Sequence, residues 1–180
     1  GLSCDVYVGD ADTVSEEGRA LVDAAVDFEV ERHDPYKDYT DLALALDAVR
    51  CRWLGAEVVA TCATGGRPDM ALSVLGLLTG YADAPVWIEE DEVTARILHQ
   101  DETWTIDGAE GKTFSIIAIA PNTEISEHGL EWELDHSPLG LLADTGISNV
   151  LRKTAKIQVH QGTAIAYLCL LYTSPSPRDC

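Results

Sequence analysis

The pattern of apolar residues changes near residue 84, and this change narrows the possible folds more than any other feature of the chain. Before it, short apolar runs alternate with segments of helical periodicity, as in strands and helices stacked on a parallel sheet. After it, apolar and polar residues alternate in short segments separated by turn residues, as in an antiparallel sandwich or barrel. We therefore expect an α/β domain over residues 1–84 and a β-sandwich domain over residues 85–168.

The first half predicts three strands and three helices in alternation. The strands are expected at residues 4–8, 27–32 and 57–63, and the helices at 15–25, 40–55 and 68–80. Thr40 suits the N-cap of the second helix and Gly55 its end. Pro68 suits the first turn of the third helix.

The second half predicts eight strands, at residues 86–89, 93–100, 103–106, 113–120, 124–127, 130–134, 155–160 and 163–168. The composition shifts abruptly at residues 169–180. We expect this segment to be a non-native tail, with a natural flexible tail as the alternative. Because the chain opens directly on a strand without a methionine, we expect the natural protein to begin earlier.

Charge argues against several classes of partner. The chain has 31 acidic and 12 basic residues and a formal net charge of −19, which repels nucleic acid and anionic membrane surfaces.

No apolar run approaches the roughly 20 residues that a membrane helix needs. The first residues also lack the charged and apolar regions of a signal peptide. We expect a cytoplasmic protein.

The cysteines and histidines favour neither disulfides nor zinc. The five cysteines form no CxxC pair, and we interpret them as reduced core residues, because a free cysteine packs as a small hydrophobe. The five histidines have no spacing typical of metal ligands.

A first polar loop follows the first predicted strand, where ligands bind in open parallel sheets. Residues 9–13 read GDADT, and this spacing can direct Asp10 and Asp12 at one ion. Carboxylates without imidazole or thiolate select Mg²⁺ or Mn²⁺, and Mg²⁺ normally brings phosphates. The loop thus favours a nucleotide substrate, although the two carboxylates could simply be solvated or cap the next helix.

Two further loops follow the second and third predicted strands. Residues 37–41 read KDYTD and precede a helix N-terminus, where anions are favoured; helix capping alone explains Thr40 and Asp41. Residues 63–69 read ATGGRPD. Their glycine pair permits close approach of a phosphate and their arginine can bind an oxyanion, with a tight turn and a surface arginine as the alternative.

Five segments together resemble the thiamine pyrophosphokinase family, whose patterns are approximately GDxDS, KDxTD, GxxGGRxDH, GLKWPL and GxSN. Here they are residues 9–13, 37–41, 63–69, 129–134 (GLEWEL) and 146–149 (GISN), in the same order. The resemblance spans roughly residues 5–168. It implies an α/β catalytic domain followed by a β-sandwich, a homodimer, and transfer of pyrophosphate from ATP to thiamine with Mg²⁺. The products would be thiamine diphosphate and AMP.

The same resemblance assigns roles to individual residues. The catalytic set is Asp10, Asp12, Asp38 and Asp41, of which Asp10, Asp12 and Asp41 would bind the metal, with Asp38 as an alternative ligand. The ATP-binding set is Thr13, Lys37, Thr40, Gly65, Gly66 and Arg67. The thiamine-binding set is Asp69, Trp132, Ser148 and Asn149. Asp41 or Asp69 could accept the hydroxyl proton, and Trp132 could instead belong to the sandwich core.

Two departures from the family pattern leave alternatives open. Met70 replaces the common histidine, and the strand with an Asp-Gly-Gly type loop that precedes GDxDS in the family is missing, so we expect an N-terminally truncated member. A haloacid-dehalogenase-like phosphatase would use Asp10 as its nucleophile, but Glu90 and Asp91 substitute poorly for its later acidic pair. A non-catalytic thiamine- or nucleotide-binding relic and an acidic structural domain are further alternatives.

Overall fold

A computed structural model describes residues 3–34, 36 and 38–170 of the 180-residue chain. The chain divides into two compact units, Gly1–Ala56 and Glu57–Cys180. Among the described helices, none combines the length and the apolar character needed to cross a bilayer.

The first unit contains two parallel strands, each followed by a helix. These are β1 (Val6–Gly9), α1 (Glu16–Asp23), β2 (Glu29–Arg32) and α2 (Asp41–Arg52). The two strands pair in register from Val6 with Glu29 to Gly9 with Arg32. Both helices begin at a hydroxyl N-cap: Ser15 Oγ accepts from the Gly18 N–H, and Thr40 Oγ1 accepts from the Ala43 N–H.

The second unit contains one helix and nine strands among its described residues. These are β3 (Val58–Thr61), α3 (Pro68–Thr79), β4 (Val86–Glu90), β5 (Val93–His99), β6 (Thr103–Ile106), β7 (Thr113–Ala118), β8 (Thr123–Leu130), β9 (Leu134–Leu139), β10 (Asn149–Gln161) and β11 (Thr163–Cys169). The hydrogen-bonded order is β3-β4-β5-β11-β7-β10-β8-β9, with β6 also on β10. The β3–β4 pair is parallel, and the remaining ladders are antiparallel.

Strand β10 takes part in both layers of the β-rich part. Its first two residues, Asn149 and Val150, pair with β7, whereas residues from Leu151 onward pair with β8 and β6. The enclosed core includes Trp104, Phe114, Leu151, Ile157 and Ala166, all less than a tenth exposed. The expected fold class, an α/β part followed by an antiparallel β-sandwich part, is confirmed.

The expected strand at residues 130–134 is wrong. Strand β8 continues to Leu130, and β9 begins at Leu134, so the intervening residues form the turn of a hairpin. Gly129 adopts φ +89°, and its N–H donates to Glu133 Oε1 at 2.8 Å across the turn. Strand β10 also begins at Asn149, six residues before the expected start at residue 155.

The cysteines are free, but three of them are not core residues. Cys4, Cys51 and Cys62 are exposed, and Cys169 is half-buried. Cys4 precedes β1 and Cys62 follows β3, so both lie outside the strands that their apolar neighbours form. Core packing was therefore the wrong expectation for these three thiols. Cys180 lies outside the described residues.

Candidate active site

The end of β1 and the start of α2 meet at Gly9. A Cβ added to Gly9 would lie 2.7 Å from Oδ2 of Asp41, so the glycine leaves the space that this carboxylate occupies. The Gly9 carbonyl also accepts a hydrogen bond from the His33 N–H at 3.2 Å, which extends the pairing of the strands beyond β2. The structure thus brings Asp41, the first residue of α2, against the backbone that leads into Asp10.

The loop that follows β1 is fixed by two local hydrogen bonds. The Asp12 N–H donates to Asp10 Oδ1 at 3.1 Å, and Arg19 Nη2 of α1 donates to the Ala11 carbonyl at 2.6 Å. Ala11 is buried and adopts φ +61°. This arrangement leaves the Asp12 side chain exposed beside the half-buried Asp10. Thr13, the next residue, is exposed as well.

The second loop is described only in part. Thr40 caps α2 as expected, and Asp38 is exposed. Asp34 accepts the Tyr36 N–H at 2.8 Å, which turns the chain after β2. Lys37, expected to contact the nucleotide, lies outside the described residues.

A cavity of about 250 Å³ opens within the first unit, between β2 and α2. It is lined by Glu31, His33, Leu44, Asp47, Ala48, Cys51 and Arg52. The side chain of Arg52 is held there by ion pairs with Glu29 and Glu31. No described residue of the predicted site lines this cavity, so the cavity and the acidic loops are separate features of the unit.

The third loop, in the second unit, is held by Glu90, a residue that the sequence analysis considered only as a poor substitute for an acidic residue of a phosphatase. Glu90, the last residue of β4, accepts hydrogen bonds from Ala63 and Thr64 at the start of the loop. These bonds hold the pKa of Glu90 below its usual range. No atom lies within 4 Å of a Cβ added to Gly65 or Gly66, so a ligand has open space beside the glycine pair.

Arg67 and Asp69 form an ion pair across the first turn of α3. Arg67 Nε lies 3.2 Å from Asp69 Oδ1, and Nη2 lies 2.5 Å from Oδ2. The guanidinium lowers the pKa of Asp69. Both side chains are mostly exposed, and Met70 beside them is partly exposed. The structure therefore couples two residues that the family resemblance assigned to different substrates.

Two of the other predicted thiamine-binding residues, Trp132 and Asn149, are joined at the β8–β9 turn, and Ser148 precedes Asn149 in the chain. Asn149 Oδ1 accepts the Trp132 N–H at 3.1 Å, and Asn149 Nδ2 donates to the Trp132 carbonyl at 2.7 Å. The Trp132 side chain is 63% exposed, so it is not part of the sandwich core. Ser148 is exposed at φ +63°, and its N–H donates to Ser115 Oγ at 3.0 Å. The buried Asn149 amide thus holds the backbone that presents Trp132.

A buried carboxyl group stands behind Asn149. Glu127 has no exposed surface, and its Oε2 accepts from Asn149 Nδ2 at 3.3 Å. Burial raises the pKa of Glu127 to about 7, and the Asn149 hydrogen bond opposes this rise. Glu127 belongs to none of the five motifs, so sequence reasoning missed it.

The acidic residues of the first unit fit Mg²⁺ by their chemistry. Within the described ranges, no three His, Cys, Asp or Glu side chains are arranged as a metal site. Mg²⁺ is usually held by only one or two carboxylates, with water and phosphate completing its octahedron. Asp10, Asp12 and Asp41 supply oxygen donors of that kind.

Comparison with known proteins decides the family. Residues 1–88 match the family profile described as thiamin pyrophosphokinase, catalytic domain, and residues 97–164 match the thiamin pyrophosphokinase vitamin B1 binding domain. The chain belongs to the thiamine pyrophosphokinase family. Thiamine pyrophosphokinase 1 of Arabidopsis thaliana is 27% identical over 91% of this chain and 64% of its own length. Thiamine pyrophosphokinase 2 of the same plant is 26% identical over 83% of this chain and 59% of the plant protein. The chain therefore spans about three fifths of these curated relatives.

Solved structures of the family share the fold. Thiamine pyrophosphokinase from Bacillus subtilis superposes with a TM-score of 0.77 at 22% identity, over 93% of this chain and 79% of that one. This likeness is evidence for the fold. The two family profiles place a catalytic domain first and a vitamin B1 binding domain second.

Proposed function

We propose that this thiamine pyrophosphokinase family chain transfers the pyrophosphoryl group of ATP to thiamine, giving thiamine diphosphate and AMP. The observation that carries the proposal is the contact at Gly9, where the absence of a side chain admits the Asp41 carboxylate. It brings Asp41 of the second family motif to the strand end that leads into Asp10 of the first. The two profile matches in the family order support the same activity.

The proposed reaction forms one bond to the β-phosphorus of ATP and breaks another bond at the same atom. The hydroxyl oxygen of thiamine forms a bond to the β-phosphorus of ATP, and the bond from that phosphorus to the α,β-bridging oxygen breaks, which releases AMP. The hydroxyl proton passes to a carboxylate, for which Asp41 and Asp69 are the candidates. Catalysis of this kind depends mainly on position and charge, since the protein contributes little covalent chemistry.

We assign the acidic residues of the first unit to the metal and to the triphosphate. Asp10, Asp12 and Asp41 would hold Mg²⁺, or Mn²⁺ in its place, with Asp38 as the alternative ligand. When bound, such an ion neutralises phosphate charge and orients the leaving group. The contact of Asp41 with Gly9 favours Asp41 over the exposed Asp38.

We assign the remaining residues to the two substrates. Thr13, Lys37, Thr40, Gly65, Gly66 and Arg67 would contact ATP, and Asp69, Trp132 and Ser148 would contact thiamine. Asn149 would act through Trp132, because its side-chain amide is occupied by the backbone of that residue. The Arg67–Asp69 ion pair then gives the third loop a contact for each substrate.

We also propose that the protein is a homodimer in the cytoplasm. Each subunit would contain the two domains proposed above, over residues 1–84 and 85–168. Several large apolar side chains are exposed in the β-rich part, among them Trp132, Leu141, Leu142 and Ile147. A second subunit would remove such surface from water. Multi-angle light scattering of the purified chain tests the dimer, since a monomer mass would contradict it.

Mass spectrometry of the products tests the activity. The protein is mixed with ATP, Mg²⁺ and thiamine, and parallel samples omit each component in turn. Thiamine diphosphate together with AMP supports the proposal. Phosphate without thiamine diphosphate would favour the phosphatase alternative, and ligand binding without any product would favour the non-catalytic alternative.

A further inference from the structure

One oxygen of Glu90 gathers three hydrogen bonds from the start of the glycine loop. Glu90 Oε1 lies 3.0 Å from the Ala63 nitrogen, 3.1 Å from the Thr64 nitrogen and 3.0 Å from Thr64 Oγ1. Glu90 ends β4, which runs parallel to β3, the strand that leads into the loop. The carboxylate therefore reaches from one strand end to its neighbour.

The loop has little else to fix its conformation at this point. Cys62 has already left β3 at φ +54°, and Gly66 adopts φ +83°. No atom lies within 4 Å of a Cβ added to either glycine, and α3 begins only at Pro68. Because glycine has the widest conformational freedom of the residues, the hydrogen bonds to Ala63 and Thr64 limit the conformations of a loop that its own glycines leave free.

A carboxylate suits this task better than a neutral acceptor. Hydrogen bonds to a charged acceptor are about twice as strong as neutral ones, and here three donors share one oxygen. These hydrogen bonds favour the ionised form of Glu90 and therefore lower the pKa of its carboxyl group. Its charge is also directed at backbone amides rather than at the open side of the loop.

We propose that Glu90 is a positioning residue that holds residues 63–67 in the conformation that binds the phosphates of ATP. The inference rests on the proposed role of this loop in nucleotide binding. Glu90 acts through Ala63 and Thr64 and does not itself contact the nucleotide. A change at Glu90 therefore affects the affinity for ATP and leaves the affinity for thiamine unchanged.

Glu89 provides the matched control. It precedes Glu90 on the same strand, so its side chain points to the opposite face, where its Oε2 accepts from Thr94 Oγ1 at 2.7 Å. Glu89→Gln and Glu90→Gln make the same change of charge and shape. Only Glu90→Gln removes the charge that accepts the hydrogen bonds of Ala63 and Thr64.

The dissociation constant of Mg·ATP is measured by calorimetry for the full chain and its variants. Glu90→Gln is expected to raise this dissociation constant about tenfold. The replacement weakens the charged hydrogen bonds to the loop, and a loss of about 1.4 kcal/mol in binding free energy corresponds to a tenfold change. Glu89→Gln is expected to leave it unchanged. In steady-state assays, Glu90→Gln raises the KM for ATP and leaves the KM for thiamine as it was.

Thr64 gives a second test that does not depend on Glu90 variants folding. Thr64→Val removes the hydroxyl donor and keeps both amide bonds, so a rise of about threefold in the ATP dissociation constant is expected, smaller than for the charge change. Thr64→Ser keeps the hydroxyl and is expected to behave as the wild type. Amide NMR signals of Ala63 and Thr64 should shift in Glu90→Gln but not in Glu89→Gln.

The outcomes separate this inference from the proposed function. Equal ATP affinity in Glu90→Gln and Glu89→Gln would overturn the inference, and so would a wild-type chain that does not bind ATP. If ATP affinity depends on Glu90 but no thiamine diphosphate forms, the inference stands and the proposed transfer fails.

Discussion

Glu127 is a carboxyl group without exposed surface, and its ionisation therefore opposes folding. Its pKa is raised from 4.5 in the unfolded chain to about 7 by burial. Between these values the folded chain binds more protons than the unfolded chain, so the free energy of unfolding falls as the pH rises through this window. The penalty is complete above about pH 7 and absent below pH 4.5.

Glu127→Gln removes this ionisation and keeps the size of the side chain. At pH 8 the free energy of unfolding of the variant is expected to exceed that of the wild type by on the order of 3 kcal/mol. The difference should shrink steadily toward pH 4.5. Urea unfolding at a series of pH values measures it, with the exposed Glu110→Gln as control. A difference that does not vary with pH would contradict the raised pKa.

Asp12 offers a prediction about the metal. Its side chain is exposed, and the local turn uses its N–H rather than its carboxylate. Asp12→Asn should therefore leave the fold intact and lower Mg²⁺-dependent turnover by on the order of a hundredfold or more. Product mass spectrometry and circular dichroism measure the two effects, with the exposed Asp27→Asn as control. An unchanged rate would remove Asp12 from the metal site.

The residues of the motifs could be predicted from the sequence, but the residues that hold those motifs in place could not. Asp10 and Asp41 could be singled out because they occur in recognisable segments. Glu90 contacts a loop 26 positions earlier, and Glu127 contacts Asn149 22 positions later. A pairing over such distances depends on strand order, which a single sequence does not reveal.

Among the helices and strands, the hairpin of β8 and β9 differed most from expectation. Leu130, Trp132 and Leu134 alternate with polar residues and imitate a strand. The decisive residue is Gly129, whose left-handed φ and contact with Glu133 turn the chain. The helix starts at Thr40 and Pro68 could be predicted, because capping is a local property.

Gly129→Ala tests the importance of this close approach. A Cβ at Gly129 would lie 2.2 Å from the Thr154 carbonyl oxygen of β10, so the two strands would have to separate. The free energy of unfolding is expected to fall by at least about 3 kcal/mol. Gly108→Ala is the control, because Gly108 has φ +67° and open space around it. That variant should lose only about 1 kcal/mol, and equal losses in urea unfolding would refute the steric explanation.

For the whole molecule, the change of sequence pattern near residue 84 separated the α/β part from the β-rich part. It could not show that the ladders continue across that point, because β4 pairs with β3 on one side and with β5 on the other. The compact units accordingly divide before β3, at Ala56. Hydrophobic patterns describe which residues are buried, whereas strand order decides which segments share a sheet.

The net charge of −19 predicts stabilisation by salt. Repulsion among carboxylates opposes a compact state, and the screening length falls from about 30 Å at 0.01 M salt to about 10 Å at 0.1 M. The midpoint of thermal unfolding should rise by about 3 °C over this range. Calorimetry in NaCl and in KCl measures the rise, which should be equal for the two salts. A midpoint independent of salt would show that repulsion contributes little.

The indole rings of Trp87 and Trp104 lie 5.4 Å apart, nearly perpendicular, within the β-rich unit. Trp87 belongs to β4 and Trp104 to β6, on strands from different parts of the hydrogen-bonded order. Two chromophores this close exchange electronic excitation, and we expect this pair to give circular dichroism bands of opposite sign. The protein therefore contains its own optical reporter of sandwich assembly, which Trp104→Phe would silence.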